Sequence, residues 1–135
     1  MPEKEIPCLI CPTGCRLRLV WAEANPAARQ INGAGCARGI EYAEQEMTDP
    51  RRTLTSTVKV RGGRLPLVSV RSAAPLPRDL LLPAVALLRD LCLDAPVESG
   101  RVLLADILGA GTALVTTGAV ERASACPPGD RGRSR

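Results

Sequence analysis

CLICPTGCRLRLVWAE, residues 8–23, decides how this chain is read. Its first half packs Cys8, Cys11 and Cys15 into eight positions. Its second half alternates charged and apolar side chains, the two-residue period of a half-buried strand. A fourth cysteine, Cys36, follows in GAGCARG (33–39), which completes a C-x2-C-x3-C-x20-C pattern. Between them, ANPAA (24–28) reads as a turn and ARQING (28–33) as a short return strand, so a β-hairpin carries cysteines at both ends.

Tight spacings of two and three residues let a chain wrap several sulfurs around one centre, and a distant fourth closes the site. Pro12, Gly14, Gly35 and Gly39 suit that wrap, because glycine accepts unusual dihedrals and leaves amides free to face sulfur. Histidine is absent from the chain, which removes Cys2His2 and Cys3His zinc sites and Rieske centres. Three readings stay open: an iron–sulfur cluster, a structural zinc held by four thiolates, and thiols that are unrelated or disulfide-bonded. Structural zinc usually pairs two Cys-x2-Cys knuckles, and here the second knuckle is missing. Three sulfurs from one loop and one from elsewhere favour a cubane.

Arg38, two residues past Cys36, reads in two ways: as a solvated arginine, or as a cation beside the cluster. In the second role it would raise the reduction potential by favouring the more negative state, and it could guide an acidic partner. Cys92 falls in an apolar stretch and is expected to be a small buried hydrophobe. Cys126 is expected to be an exposed bystander. Without histidine there is no Ser/His/Asp or Cys/His catalytic set. The carboxylate pairs Glu41/Glu44 and Glu44/Asp49 read as helix surface, RGG at 61–63 as a turn, and GAG at 109–111 as too short for a phosphate loop.

The rest of the chain supports a small α+β fold. At 135 residues with 45% hydrophobic content it is one domain or two very small lobes. Phe is absent, and Trp21 and Tyr42 are the only aromatics, so the core rests on Leu, Val, Ile and Ala. That also removes the stacking platforms that read single-stranded nucleic acid. The net charge of +4 comes from arginines spread along the chain, which suits a solvated surface with a basic tail. No targeting signal is expected at the N-terminus, and LLLPAVALLRDLCL is too short and too charged to span a bilayer. A reducing, cytoplasmic location follows as the default, which disfavours disulfides.

GIEYAEQEM (39–47) reads as a short helix. TLTSTVKV (53–60) and LPLVSVR (65–71) flank RGGR as a hairpin. RDLLLPAVALLRDLCL (78–93) reads as a helix with Asp79 as N-cap, Pro83 in its first turn and a face of Leu80, Ala84, Leu87, Leu88 and Leu91. RVLLADIL and ALVTTGAV are expected strands around GAG, and the Pro/Gly/Arg-rich end is expected to be disordered. The expected organisation is a four-cysteine module over 1–52, an α+β lobe over 53–122 and a basic tail over 123–135.

CLICPTGCRLRLV…INGAGCARGIEYAEQEMTDPRRTLTSTVKV resembles the start of the small proteins grouped as the domain-of-unknown-function 1667 family, and the likeness runs over about residues 6–120. Members of that family share the four-cysteine motif and are typically encoded beside FAD-dependent oxidoreductases, among them glycerol-3-phosphate dehydrogenase-like and NADH-oxidase-like flavoproteins. Residues 8–55 also distantly resemble the cluster domain of molybdopterin oxidoreductases, where C-x2-C-x3-C and a later C-x-[KR]-G bind a [4Fe–4S] cluster. That likeness implies Cys8, Cys11, Cys15 and Cys36 as ligands and Arg38 as the matching basic residue; the large molybdenum-binding domains have no counterpart here. Together the resemblances imply an iron–sulfur electron-transfer or accessory subunit of a flavin-dependent oxidoreductase, without catalytic residues of its own. The rival is a zinc-stapled protein-binding scaffold without redox activity. On the first reading the apolar helix of the second lobe is the expected docking face.

Overall fold

A computed structural model describes residues 1–124, and the chain forms two compact units, Met1–Arg51 and the part from Arg52 onward. Cys126 and nearly all of the expected basic tail lie outside the described residues. The architecture is α+β, as the hydrophobic periods require.

The first unit is a three-stranded antiparallel sheet of order β1-β2-β3 with one helix. Strand β1 spans Glu3–Pro7, β2 Arg16–Ala22 and β3 Asn25–Asn32; helix α1 spans Ala37–Thr48. In β2 the alternation is realised directly: Leu17 and Leu19 are fully buried while Arg16 and Arg18 face solvent. Gly39 and Ala43 are the buried positions of α1, and Ala43 joins Leu17, Leu19 and Cys8 in a small core. Trp21, Tyr42, Ile6, Ile31 and Met47 pack around it, so both aromatics serve this unit. The return strand starts earlier than the sequence suggested. The turn is only residues 23–24, and the expected turn at 24–28 becomes a break in register between Trp21 and Ala22. Gly33, at φ +84°, then carries the chain out of β3 towards α1.

The second unit begins at Arg52, within the two-residue strand β4 (Arg51–Arg52), and is built on a five-stranded sheet of order β8-β5-β6-β10-β9. Strands β5 (Thr55–Arg61) and β6 (Leu67–Ser72) form the expected hairpin. Its turn is longer than Gly-Gly alone, since Val60 N–H reaches the Pro66 carbonyl across residues 61–65. Val58, Val60, Val68 and Val70 point to one face, into a core with Leu54, Leu76, Leu88, Ile107 and Leu114. After β7 (Leu76–Pro77) and a 3-10 turn, Arg78–Leu80, helix α2 runs Leu81–Arg89.

Here the sequence reading needs three corrections. Asp79 is not the cap: it lies in the 3-10 turn, and Leu80 precedes α2 with no side-chain cap bond. Pro83 still falls in the first turn, where an amide has no helical partner to lose. The buried face is Ala84 and Leu88 with Leu81 and Val85 alongside, whereas Leu87 is turned outward. The helix stops at Arg89, and Cys92 belongs to strand β8 (Cys92–Asp94), which joins β5 in parallel. Strand alternation sends Leu91 and Leu93 to the core and Cys92 to solvent, so Cys92 is exposed rather than buried. Strands β9 (Val102–Leu104) and β10 (Leu114–Thr116) are shorter than expected and pair antiparallel, with β10 on β6. Three buried hydroxyls are all satisfied; Thr116 Oγ1, for example, donates to the Glu98 carbonyl at 2.6 Å and accepts from Arg101 N–H at 2.9 Å.

Candidate metal centre

The segment between β1 and β2, residues 8–15, is a closed loop. Cys8 N–H donates to the Cys15 carbonyl at 2.8 Å, continuing the β1–β2 ladder by one rung and setting the two cysteines across the neck. At the tip, Gly14 N–H reaches the Cys11 carbonyl at 3.3 Å and Gly14 adopts φ +61°. Cys8 is buried, Cys11 and Cys15 are half-buried, and Cys36 is exposed.

Cys36 occupies the N-cap position of α1 in extended backbone geometry, and its side chain makes no capping bond. The residues flanking it tie the site together. The position a Cβ would take on Gly35 lies 3.3 Å from Cys15 Sγ, and that on Gly39 lies 3.7 Å from Cys8 Sγ. The charge of Arg38 acts on Cys11. Cys15 and Cys8 are therefore neighbours of the segment 35–39 that carries Cys36. The four thiols are not drawn into one cluster: among the described residues no group of three or more Cys, Asp or Glu stands close enough to hold a metal ion. All five cysteines among the described residues are free.

The surroundings of Cys11 favour its thiolate. The Cys11 thiol is held below its ordinary value, first by the Thr13 hydroxyl, then by the Thr13 amide. Partial burial opposes this, while the Arg38 charge and the Gly14 amide support it. The first turn of α1 has no acidic residue to offset the positive end of the helix dipole. Thr13 escaped the sequence reading, although a hydroxyl two residues from a cysteine in a Pro-Thr-Gly turn is the signal that could have found it. The sequence also started α1 two residues late, which hid that Cys36 stands at its N-cap position.

Elsewhere among the described residues no comparable run of cysteines occurs. Glu41, Glu44, Gln45 and Thr48 line an open groove of about 430 Å³ with Ala27 and Arg29, and it contains no cysteine. Cys92, with its thiol on the solvent face of β8, has no Cys, Asp or Glu group about it that would hold a metal.

A small α+β fold, with a three-stranded antiparallel sheet in one unit and a five-stranded mixed sheet in the other, is the class this structure defines. The chain belongs to the family described as protein of unknown function (DUF1667), whose match covers residues 37–118. That match begins one residue after Cys36, so it rests on α1 and the second unit and leaves the four cysteines outside it. The chain is also similar to a Clostridium perfringens protein solved by NMR as a structural genomics target. The two share 23% identity at a TM-score of 0.51, over 61% of this chain and 98% of that one, a likeness of fold alone. No curated protein matches the chain. Among the described residues, no helix is long and apolar enough to cross a membrane.

Proposed function

We propose that the first unit is an iron–sulfur electron-transfer module, an accessory subunit of a flavin-dependent oxidoreductase, with Cys8, Cys11, Cys15 and Cys36 as ligands of a [4Fe–4S] cluster. The supporting observation is that residues 35 and 39, on either side of Cys36, lie beside Cys15 Sγ and Cys8 Sγ. The residues present fit such a group. Their donors are all sulfur, and the three sulfurs from one loop match a cubane's needs. Gly35 and Gly39 leave open the space that side chains would fill beside Cys15 and Cys8. Binding the cluster would require the four thiols to draw closer than they stand, since among the described residues no three of them form a metal-holding group.

When bound, the cluster supplies one-electron exchange, while a flavin in the partner handles the two-electron organic step. The chain's own residues hold the thiolates, stabilise negative charge through Thr13, Arg38 and the start of α1, and shield Cys8 in the core. The partner in this reading is an FAD-dependent oxidoreductase of the glycerol-3-phosphate dehydrogenase-like or NADH-oxidase-like kind, in a reducing compartment.

Purification without air tests the metal. Brown protein with broad absorption at the blue end and about four irons per chain is expected. Colourless protein with about one zinc per chain overturns electron transfer in favour of a structural staple. Cys36→Ser is expected to lose the absorption and most of the iron; unchanged metal content removes Cys36 from the ligand set.

A further inference from the structure

Two of the four thiols stand in a relation that the strands impose. The β1–β2 ladder pairs Ile6 with Leu17 and Pro7 with Arg16, so the next rung sets Cys8 opposite Cys15. The bond from Cys8 N–H to the Cys15 carbonyl, at 2.8 Å, closes that rung. Residues opposite each other on an antiparallel ladder project to the same side of the sheet. Here it is the core side: Cys8 is buried with Leu17 and Leu19, and Ile6 and Cys15 pack against them. The 35–39 segment gives the same orientation independently, since Gly39 lies beside Cys8 Sγ and Gly35 beside Cys15 Sγ.

Hydrogen-bonded partners in such a ladder have Cα atoms about 5.5 Å apart. A disulfide spans Cα separations of about 4.4–6.8 Å, so joining this pair asks little of the backbone. Cys11 and Cys36 have no such partner: they lie outside every strand, one in the 8–15 loop and the other at the N-cap of α1.

We propose that Cys8 and Cys15 form a reversible disulfide site. In the cluster-free chain a low-molecular-weight disulfide oxidises them to a cross-strand bond, which pins the 8–15 loop and withholds two thiols from a metal. The pairing stands on the strand register alone, and its effect on cluster loading rests on the electron-transfer reading. The exchange balances without another reagent. The half-buried Cys15, as thiolate, attacks one sulfur of the small disulfide, whose S–S bond breaks, and one small thiolate leaves. Cys8 then attacks the Cys15 sulfur of the mixed disulfide and loses its proton to solvent, and the second small thiolate leaves. Two protein thiols are oxidised and one small disulfide is reduced to two thiols. Exposure sets the order, because Cys8, at 5%, is shielded from a bulky reagent but faces Cys15 across the rung. In a reducing compartment bonds of this kind are transient, which suits a switch better than a staple.

The test uses the full chain, stripped of metal, reduced, treated with oxidised glutathione and then alkylated with iodoacetamide. Cleavage after Lys4 and Arg16 releases residues 5–16 as one peptide that holds Cys8, Cys11 and Cys15. Mass spectrometry is expected to find this peptide short of two hydrogens, with the alkyl group on Cys11. Cys11→Ser/Cys36→Ser is expected to form the same bond, and Cys8→Ser to stop at the mixed disulfide on Cys15. A bond to Cys11 or Cys36, a scatter of pairings, or alkyl groups on both Cys8 and Cys15 overturns the site. The oxidised chain is then offered ferrous iron and sulfide without air. It is expected to take up iron only after a dithiol is added, and uptake while still oxidised overturns the switch. A chain that forms the bond, yet binds no iron even when reduced, leaves the disulfide site standing and overturns the electron-transfer reading.

Discussion

Gly33 shows how one position holds the first unit together. Its φ of +84° belongs to the left-handed region, and a Cβ there would run into the backbone carbonyl of Arg16. Neither problem is relieved by a rotamer, because both partners are main chain. Gly33→Ala is expected to destabilise the first unit by at least about 2 kcal/mol, measured as a lowered midpoint of denaturant unfolding. The glycines beside the thiols behave differently. A methyl group at Gly39 meets Cys8 Sγ and Ala34 at ordinary contact distance, whereas at Gly35 it presses on Cys15 Sγ. Gly39→Ala is therefore expected to keep its metal content where Gly35→Ala loses part of it, by iron analysis of the two proteins side by side. The sequence marked both glycines but could not rank them, since the ranking depends on where the 8–15 loop lands.

At the scale of elements, α2 separates the useful apolar residues from the idle ones. Leu88 is 4% exposed within the main core, and Leu82 is 81% exposed. Leu88→Ala is expected to cost about 2–4 kcal/mol and Leu82→Ala less than about 0.5 kcal/mol, by chemical denaturation of each variant. Strands with a clean two-residue period, β2, β5 and β6, were legible in the sequence to within two residues at each end. Segments rich in leucine throughout were not, because an unbroken apolar run matches a helix and a strand equally well. That is why Cys92 was read into a helix: Leu91 and Leu93 satisfy both periods, and only pairing with β5 selects the strand. The candidate site was legible for a different reason. Cysteine spacing is a local signal, and the glycines that flank Cys36 lie within three residues of it. The exposure of Leu9 and Ile10 was not legible, since apolar residues next to Cys8 look like core in the sequence.

At the scale of the whole molecule, the two units differ in what keeps them folded. Thirteen buried hydrophobic residues form the core from Leu54 to Val120, against four in the first unit, one of which is Cys8. A core of four leaves little beyond the sheet and helix to offset chain entropy, and small units of this kind gain much of their stability from a bound metal. Stripping the proposed cluster with a chelator is expected to lower the melting temperature of the first unit and expose its amides to exchange. Amides of β5 and β6 in the second unit are expected to keep their protection, followed by hydrogen-exchange mass spectrometry. Equal loss of protection in both units would show that the metal supports more than its own module.

The hairpin of β5 and β6 occupies the centre of its sheet, with β8 laid along one flank and β10 along the other. Tolerance of added residues should follow from that geometry. Lengthening the loop at 62–66 leaves the pairing intact, whereas a single residue inserted within β6 would reverse which face every following side chain occupies. Such an insertion would turn Val70 outward, deprive β10 of its template, and dissolve half of the sheet from one edit.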